Sequence, residues 1–250
     1  MKKSKTRLFI KNQISQNLMI YIKDKQHHFL KNVLRIKLND TITLFDGITG
    51  EWESNVISIS KEKTAVKILK KVREFETQSD IWLIFAPIKL FRMNITIQKA
   101  VELGVSKILP CKTEFSNFYK LNYKNLELNA IEAAQQCERL DTPKIEKIID
   151  LMDLLKEFPD DRALIFCDES DPNLPSIYDE VKSKLNIYSK WSVIIGPEGG
   201  FSNEEKDILI KQKNILRVSL GRRILRTDTA AISSLFCVQS LIDKRHPVLK

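Results

Sequence analysis

Glycine is scarce in this chain, seven residues in 250, and that scarcity makes its placement informative. A chain that otherwise avoids glycine uses it where the backbone takes a positive φ or comes close to something bound. Four of the seven, Gly196, Gly199, Gly200 and Gly221, fall in the C-terminal quarter, which marks that quarter as the candidate site. Cysteine is also sparse: Cys111, Cys137, Cys167 and Cys237 are scattered, with no Cys-x-x-Cys pair and no histidine at ligand spacing. That excludes a zinc site and a disulfide framework and points to a reducing cytosol, with no metal expected. All three histidines, His27, His28 and His246, lie outside the glycine-bearing stretch, so serine-protease-like chemistry has little to work with there. No apolar run approaches the roughly 18 residues of a membrane span. Met1-Lys2-Lys3-Ser4-Lys5 has the charge of a signal-peptide start, but Leu8-Phe9-Ile10 gives way at once to Lys11-Asn12-Gln13, too short for an apolar core region. The expectation is a soluble, cytoplasmic protein with no membrane partner. A chain of this length buries roughly 70–75% of its unfolded surface and needs no staples, as one large domain or two smaller ones.

What is plentiful is positive charge, and it is segregated. The formal net charge is +9; residues 1–72 hold 15 Lys/Arg against 6 Asp/Glu, whereas residues 73–250 hold 26 of each. A basic module beside a neutral one suggests a polyanion-docking part and a part with another task. The competing reading is a lysine-rich, solvated face.

Short strand patterns occupy Thr41–Phe45, Trp52–Ile59 and Ala65–Leu69, the first ending at Asp46-Gly47, which predicts a small β-barrel. Ahead of them, Phe29, Leu30, Val33 and Leu34 recur at helical spacing and leave Lys31 and Arg35 to solvent. The polar, aperiodic stretch Arg73–Asp80 puts a domain boundary near residue 73, giving domains 1–72 and 73–250. Beyond it strands alternate with helices. Apolar runs at Ile81–Ala86, Val105–Pro110, Ala163–Cys167 and Trp191–Ile195 alternate with helical patterns at Ile95–Leu103 and Leu126–Glu138, which predicts an α/β domain on a mainly parallel sheet. Ligands in such sheets bind beyond the carboxyl ends of strands, where Gly196 to Gly200 falls.

Ser202 and Glu205 form a Ser-x-x-Glu capping box, so a helix is expected from Asn203 and the loop before it leads from strand end to helix N-terminus. Its amides suit an anion or the edge of a purine. Arg217–Leu220 reads as the next strand, Gly221–Arg226 as the next loop, and Thr227 or Asp228 as the cap of a last helix through Leu241. Two neighbouring glycine-bearing loops thus predict one pocket. Neither Gly-x-Gly-x-x-Gly nor Gly-Lys-Ser/Thr is present, which disfavours dinucleotide and P-loop sites. Two ordinary capped turns would account for Gly199, Gly200 and Ser202, but not for Arg222, Arg223 and Arg226 around the apolar insert Ile224-Leu225.

The string Ile195-Gly196-Pro197-Glu198-Gly199-Gly200-Phe201-Ser202, with Leu220-Gly221-x-Arg223-Ile224-Leu225-Arg226-Thr227-x-Thr229-Ala230, resembles the signature of the bacterial 16S ribosomal RNA (uridine-N3)-methyltransferases of the SPOUT superfamily. Further matches run along the chain: Arg7-x-Phe9, His27-His28 with Val33-Leu34-Arg35, Leu44-Phe45-Asp46-Gly47, Ile97-Gln98-Lys99-Ala100-x-Glu102-Leu103-Gly104-Val105, and Gln136-Cys137-x-Arg139 with Pro143. The resemblance implies a PUA-like RNA-binding β-barrel followed by a SPOUT α/β domain with a deep trefoil knot. It also implies a homodimer that takes S-adenosyl-L-methionine and methylates N3 of a specific uridine in 16S rRNA within the small ribosomal subunit. Carried over residue by residue, Ile195, Gly196, Pro197, Gly199 and Gly200 would line one side of the methyl-donor pocket. Leu220, Gly221, Ile224 and Leu225 would line the other, with Cys167 a further candidate. In the basic module, Arg7, Lys31, Arg35 and Lys37 are expected to contact RNA phosphates, with His27 and His28 beside them, and Arg139 to contact RNA nearer the active cleft, with Arg222 and Arg223 as further RNA contacts. Three positions depart from the pattern: Asn94 where an acidic residue commonly follows Met93, Arg222 in place of proline, and Asp141 where a basic residue is common.

Uridine N3 is protonated at neutral pH, so something must favour its anion. Arg226 is the candidate to stabilise charge on the uracil oxygens, or else a phosphate or partner-subunit contact. Glu198 is the candidate base, or else a structural helix cap. The alternative to an enzyme is a non-catalytic RNA-binding or ribosome-assembly factor that retains the fold.

Overall fold

The computed structural model describes residues 6–116, 120–171 and 173–243. Met1 to Lys5 and His246 lie outside the described residues. The chain divides into two compact units, one reaching to Thr77 and including Ala134–Thr142, the other made of Gln78–Ala133 and the chain from Pro143 onward.

The first unit holds β1 (Arg7–Phe9), β2 (Met19–Ile22), α1 (Asp24–His28), β3 (Thr41–Phe45), β4 (Glu51–Ile59) and β5 (Thr64–Arg73). The strands form one sheet in the order β1-β3-β4-β5-β2, with β1 parallel to β3 and the other pairs antiparallel. The inward residues of the alternating pattern, Ile42, Leu44, Val56, Val66 and Ile68, are fully buried and build one core with Leu8, Ile14, Ile22 and Leu30. Asp46 fixes the β3–β4 turn by accepting from the amides of Ile14, Ile48 and Thr49 and from the Thr49 hydroxyl at 2.6–2.9 Å. Burial alone would raise its pKa, but these donors outweigh burial and hold the carboxyl below its ordinary range. The helix expected from the spacing of Phe29, Leu30, Val33 and Leu34 differs in kind: α1 is followed by a π-helical turn, Phe29–Val33, in which the Leu34 amide bonds the Phe29 carbonyl. The wider turn rotates the apolar residues apart, so Leu30 is buried while Val33 is 61% exposed. Strand β5 continues through Arg73, opposite Glu51, so the polar stretch that reads as a linker begins as ladder.

The second unit contains β6 (Asp80–Phe85), α2 (Leu90–Glu102), β7 (Lys107–Lys112), α3 (Tyr123–Gln136), β8 (Lys144–Ile145), β9 (Ile149–Asp150), α4 (Leu151–Lys156), β10 (Arg162–Cys167), α5 (Ile177–Lys184), β11 (Lys190–Ile195), α6 (Asn203–Ile210), β12 (Ile215–Val218) and α7 (Thr227–Asp243); the last turn of α3, from Ala134, is counted with the first unit. Its sheet runs β12-β10-β11-β6-β7-β8, with β9 also on β7, and every pair is parallel. The central strands are apolar on both faces, as a sheet covered on both sides requires: Ile81, Leu83, Ile84, Phe85, Leu164, Ile165, Val193 and Ile194 are at most 1% exposed. After β12, at one edge, the chain returns across the sheet, and α7 packs on α2, α5 and the strands β6 and β11. Among the described residues no helix is long and apolar enough to cross a membrane.

Candidate active site

The carboxyl ends of β10, β11 and β12 are adjacent in the sheet, and the loops leaving them enclose a cleft of about 310 Å³. That is within the roughly 300–1,000 Å³ typical of small-molecule sites. Phe166 and Cys167 come from the end of β10, with Asp168, Glu169 and Asp171 just beyond; Ile195 to Glu198, Gly200 and Phe201 come from β11 and its loop. Ser219 to Leu225 come from the loop after β12, with Thr227 and Ala230 from α7.

Local structure explains why the loops hold this shape. Ser202 caps α6 and the capping box is complete: the Ser202 amide donates to Glu205 Oε2 at 2.9 Å and the Glu205 amide to Ser202 Oγ at 3.3 Å. The other oxygen of the buried Glu205 accepts the Glu114 amide at 2.8 Å, so one carboxylate ties the glycine loop to the loop after β7. Glu205→Ala removes two buried acceptor bonds and is expected to cost about 2 kcal/mol, read as a lowered midpoint in urea unfolding. The Thr227 hydroxyl donates to the Gly196 carbonyl at 3.1 Å and joins the start of α7 to the same loop.

The four clustered glycines serve two purposes. Gly200 and Gly221 adopt φ of +71° and +107°, and an added Cβ at either would meet nothing within 4 Å, so both border open space in the cleft wall. Gly196 and Gly199 instead admit neighbouring rings: a Cβ would lie 2.9 Å from the Phe201 ring at Gly196 and 3.1 Å from Phe115 Cβ at Gly199. Gly199 is the one residue of the expected pocket set that does not line the cleft.

Nine of the expected pocket residues do line it: Cys167, Ile195, Gly196, Pro197, Gly200, Leu220, Gly221, Ile224 and Leu225. Burial pushes the Cys167 thiol up to about 12, only partly offset by its 3.2 Å contact with Ser234 Oγ, so it is a neutral wall group. Sequence reasoning missed Asp168, Glu169 and Asp171, although they follow a strand end and the rule that located Gly196 applies to them equally. Asp168 is 3% exposed and accepts from Arg217 at 2.8 Å and from the Ser170 amide and hydroxyl at 3.0 and 2.6 Å. Burial opposes its ionisation, but Ser170 and Arg217 prevail and depress its pKa. It positions the β10 loop against β12, leaving the exposed Glu169 as the carboxylate with room to meet a ligand.

Glu198 also lines the cleft, but it is not a helix cap, because Ser202 holds that place. Its carboxylate is paired with Arg92 of α2 at 3.1 Å. Arg222 and Arg223 are exposed on the cleft wall; Arg226 is exposed just outside the lining, and its carbonyl accepts the Ala230 amide in the first turn of α7.

A family model for an RNA methyltransferase domain matches residues 75–239, and one for an RNA methyltransferase PUA domain matches residues 22–69. The chain is 35% identical to ribosomal RNA small subunit methyltransferase E of Rickettsia conorii, covering 94% of this chain and 95% of that protein. The chain belongs to the ribosomal RNA small subunit methyltransferase E family. The corresponding Buchnera aphidicola (Schizaphis graminum) protein is 30% identical over 96% of this chain and 97% of its own length. The Neisseria gonorrhoeae member, whose crystal structure is bound to S-adenosyl methionine, superposes with a TM-score of 0.83 at 27% identity, covering 94% of this chain and 97% of that one.

Within the unit that carries the PUA match, two expected RNA contacts, His27 and Arg139, are buried, and a third, Arg7, is largely covered. Arg7 is an internal strut: it pairs with Glu51, donates to the carbonyls of Ala134 and Arg139 at 2.9 and 2.8 Å, and lies 4.0 Å from the centre of the Phe45 ring. His27 is 6% exposed, with Nδ1 2.8 Å from Thr64 Oγ1 and Nε2 donating to the Lys61 carbonyl at 3.2 Å. Arg139 is 7% exposed and grips Asp141 at 2.6 and 3.2 Å, so the unusual Asp141 is answered inside the same unit. His28, Arg35 and Lys37 are exposed, and the Lys31 ammonium reaches the Ser60 carbonyl at 2.9 Å. Charge alone could not separate the two groups, because the acceptors that hold Arg7, on Glu51, Ala134 and Arg139, come from distant segments. Arg35→Ala and Lys37→Ala are each expected to reduce the salt slope of RNA binding by about one unit, measured by titration across ionic strength; an unchanged slope would return both to the solvated surface.

Proposed function

We propose that the chain transfers a methyl group from S-adenosyl-L-methionine to N3 of one specific uridine of 16S rRNA, as a cytoplasmic homodimer acting on the small ribosomal subunit. The observation that carries this reading is the cleft between the Gly196–Phe201 and Ser219–Leu225 loops, in a chain that belongs to a family of RNA methyltransferases.

The residues present fit the methyl donor. Gly200 and Gly221 leave open space where other residues would carry a Cβ, and Ile224 is 82% exposed on the wall, an apolar surface left for a flat ring to cover. Ile195, Leu220 and Leu225 extend that wall, and Glu169 offers a carboxylate for hydroxyl or ammonium groups. When bound, S-adenosyl-L-methionine supplies an electrophilic methyl carried on a sulfonium.

The chain's own task is to manage the N3 proton. Glu198, on the cleft wall and oriented by Arg92 at 3.1 Å, is the group we assign to accept it. Arg226, between the Ile224-Leu225 insert and α7, is assigned to balance the charge that develops on the uracil oxygens. Arg222 and Arg223, exposed on the same loop, suit backbone phosphates.

The same reading includes a homodimer, supported by Phe236 of α7, 63% exposed. It includes a deep trefoil knot, supported by the path of the chain from β12 back past the Gly196 carbonyl to β11 and β6. Calorimetry with S-adenosyl-L-methionine separates this function from a non-catalytic assembly factor: the proposal requires saturable binding, and a chain that binds small subunits without binding the methyl donor would favour the assembly factor.

A further inference from the structure

The Gly196–Phe201 loop has two sides, and the cleft uses one of them. On the other side lie the carboxyl ends of β6, next to β11 in the sheet, and of β7 beyond it. The chain leaving β6 enters α2 with Phe91, which is 77% exposed, and the chain leaving β7 presents Phe115, which is 45% exposed. Arg92, the neighbour of Phe91, pairs with Glu198 at 3.1 Å, and Phe115 sits where a side chain at residue 199 would stand, its Cβ 3.1 Å from that position. Gly199, which does not line the cleft, is thereby accounted for: its missing side chain lets Phe115 lie against the loop.

We propose that Phe91 and Phe115 form a stacking platform for an unstacked nucleobase of the RNA segment being methylated. The inference rests on the RNA methyltransferase reading above and names where its acceptor strand docks. An unpaired base offers a flat apolar face that aromatic side chains cover, and single-stranded RNA is recognised in this way. Charge at the rim is complementary to the strand's phosphates: Lys89 and Lys112 are exposed at the ends of the same two loops, and Arg92 stands between the platform and the cleft. The platform is continuous with the cleft through consecutive residues, Glu198 facing one side and Gly199 the other, so a base stacked there brings its strand to the methyl donor.

Phe91→Ala and Phe115→Ala are the test, with undermethylated small subunits as substrate. Each is expected to raise KM for the subunit roughly tenfold while leaving the S-adenosyl-L-methionine dissociation constant, read by calorimetry, unchanged. Phe91→Trp should restore KM. It should also show a fluorescence quench on adding single-stranded oligouridylate, beyond that of the wild-type chain, with or without turnover. An unchanged KM in both alanine variants, or no extra quench, would overturn the platform. So would a weakened homodimer in sedimentation, which would assign the aromatics to a second copy of the chain. Failure of the underlying reading looks different: the wild-type chain would bind no S-adenosyl-L-methionine.

Discussion

Arg7→Ala is expected to destabilise the N-terminal unit by about 3–5 kcal/mol, the range for removing one partner of a buried ion pair, and to leave the salt slope of RNA binding where it was. The Arg7 side chain is 12% exposed and that of its partner Glu51 7%. Without the guanidinium, Glu51 keeps, among the described residues, Arg73 at 3.7 Å, and the carbonyls of Ala134 and Arg139 each lose this donor. The Phe45 ring also loses the cation stacked on it at 4.0 Å. For a chain of this size the loss corresponds to a fall in Tm on the order of 10 °C. Arg7→Lys should recover only part of it, because an ammonium neither forks to several acceptors nor stacks as a plane. The pair of readouts is decisive: an unchanged Tm with a slope reduced by one unit would make Arg7 a phosphate contact after all.

Ile224→Asp is expected to weaken S-adenosyl-L-methionine binding by about 100-fold while leaving Tm within a degree or two. The side chain is 82% exposed, so the fold gains almost nothing from it. A ligand that covers it gains roughly 1.5–3 kcal/mol of apolar burial, and a carboxylate in its place must be desolvated on binding. Calorimetry and thermal unfolding on the same sample separate the two effects. Equal affinity would remove Ile224 from the adenosine wall, and a lowered Tm would make it a structural residue.

The contrast between these two residues shows what could be read from the amino acids. Ile224 and its loop were legible because local signals agree: a strand end, a glycine at φ +107°, and an apolar insert between arginines. The capping box at Ser202 and Glu205 was legible because it is a contact between residues three apart, and α6 begins at Asn203 as expected. Strand order was not legible. β10 and β11 are consecutive neighbours, but β12 lies on the far side of β10 and β11 joins β6, pairings that link segments about fifty and about a hundred residues apart. The surroundings of Arg7 and His27 were not legible for the same reason, since charge and composition are local while their partners come from Glu51, Thr64 and the chain from Ala134; Arg139 instead meets Asp141, two residues on. The π-helical turn at Phe29–Val33 escaped because a periodicity of 3.6 was assumed where the hydrogen bonds close five residues apart. Glu198 shows the opposite case: its place in the loop was evident, but its partner Arg92, on the helix after β6, was not.

The most direct test of the account is transfer of labelled methyl from S-adenosyl-L-methionine to small ribosomal subunits that lack the modification, followed by nucleoside analysis of the 16S rRNA. The account predicts label in N3-methyluridine at a single position, lost in Arg226→Ala at saturating subunit and reduced in Ile224→Asp at limiting methyl donor. Label in any other nucleoside, or none from a chain that binds both substrates, would contradict it.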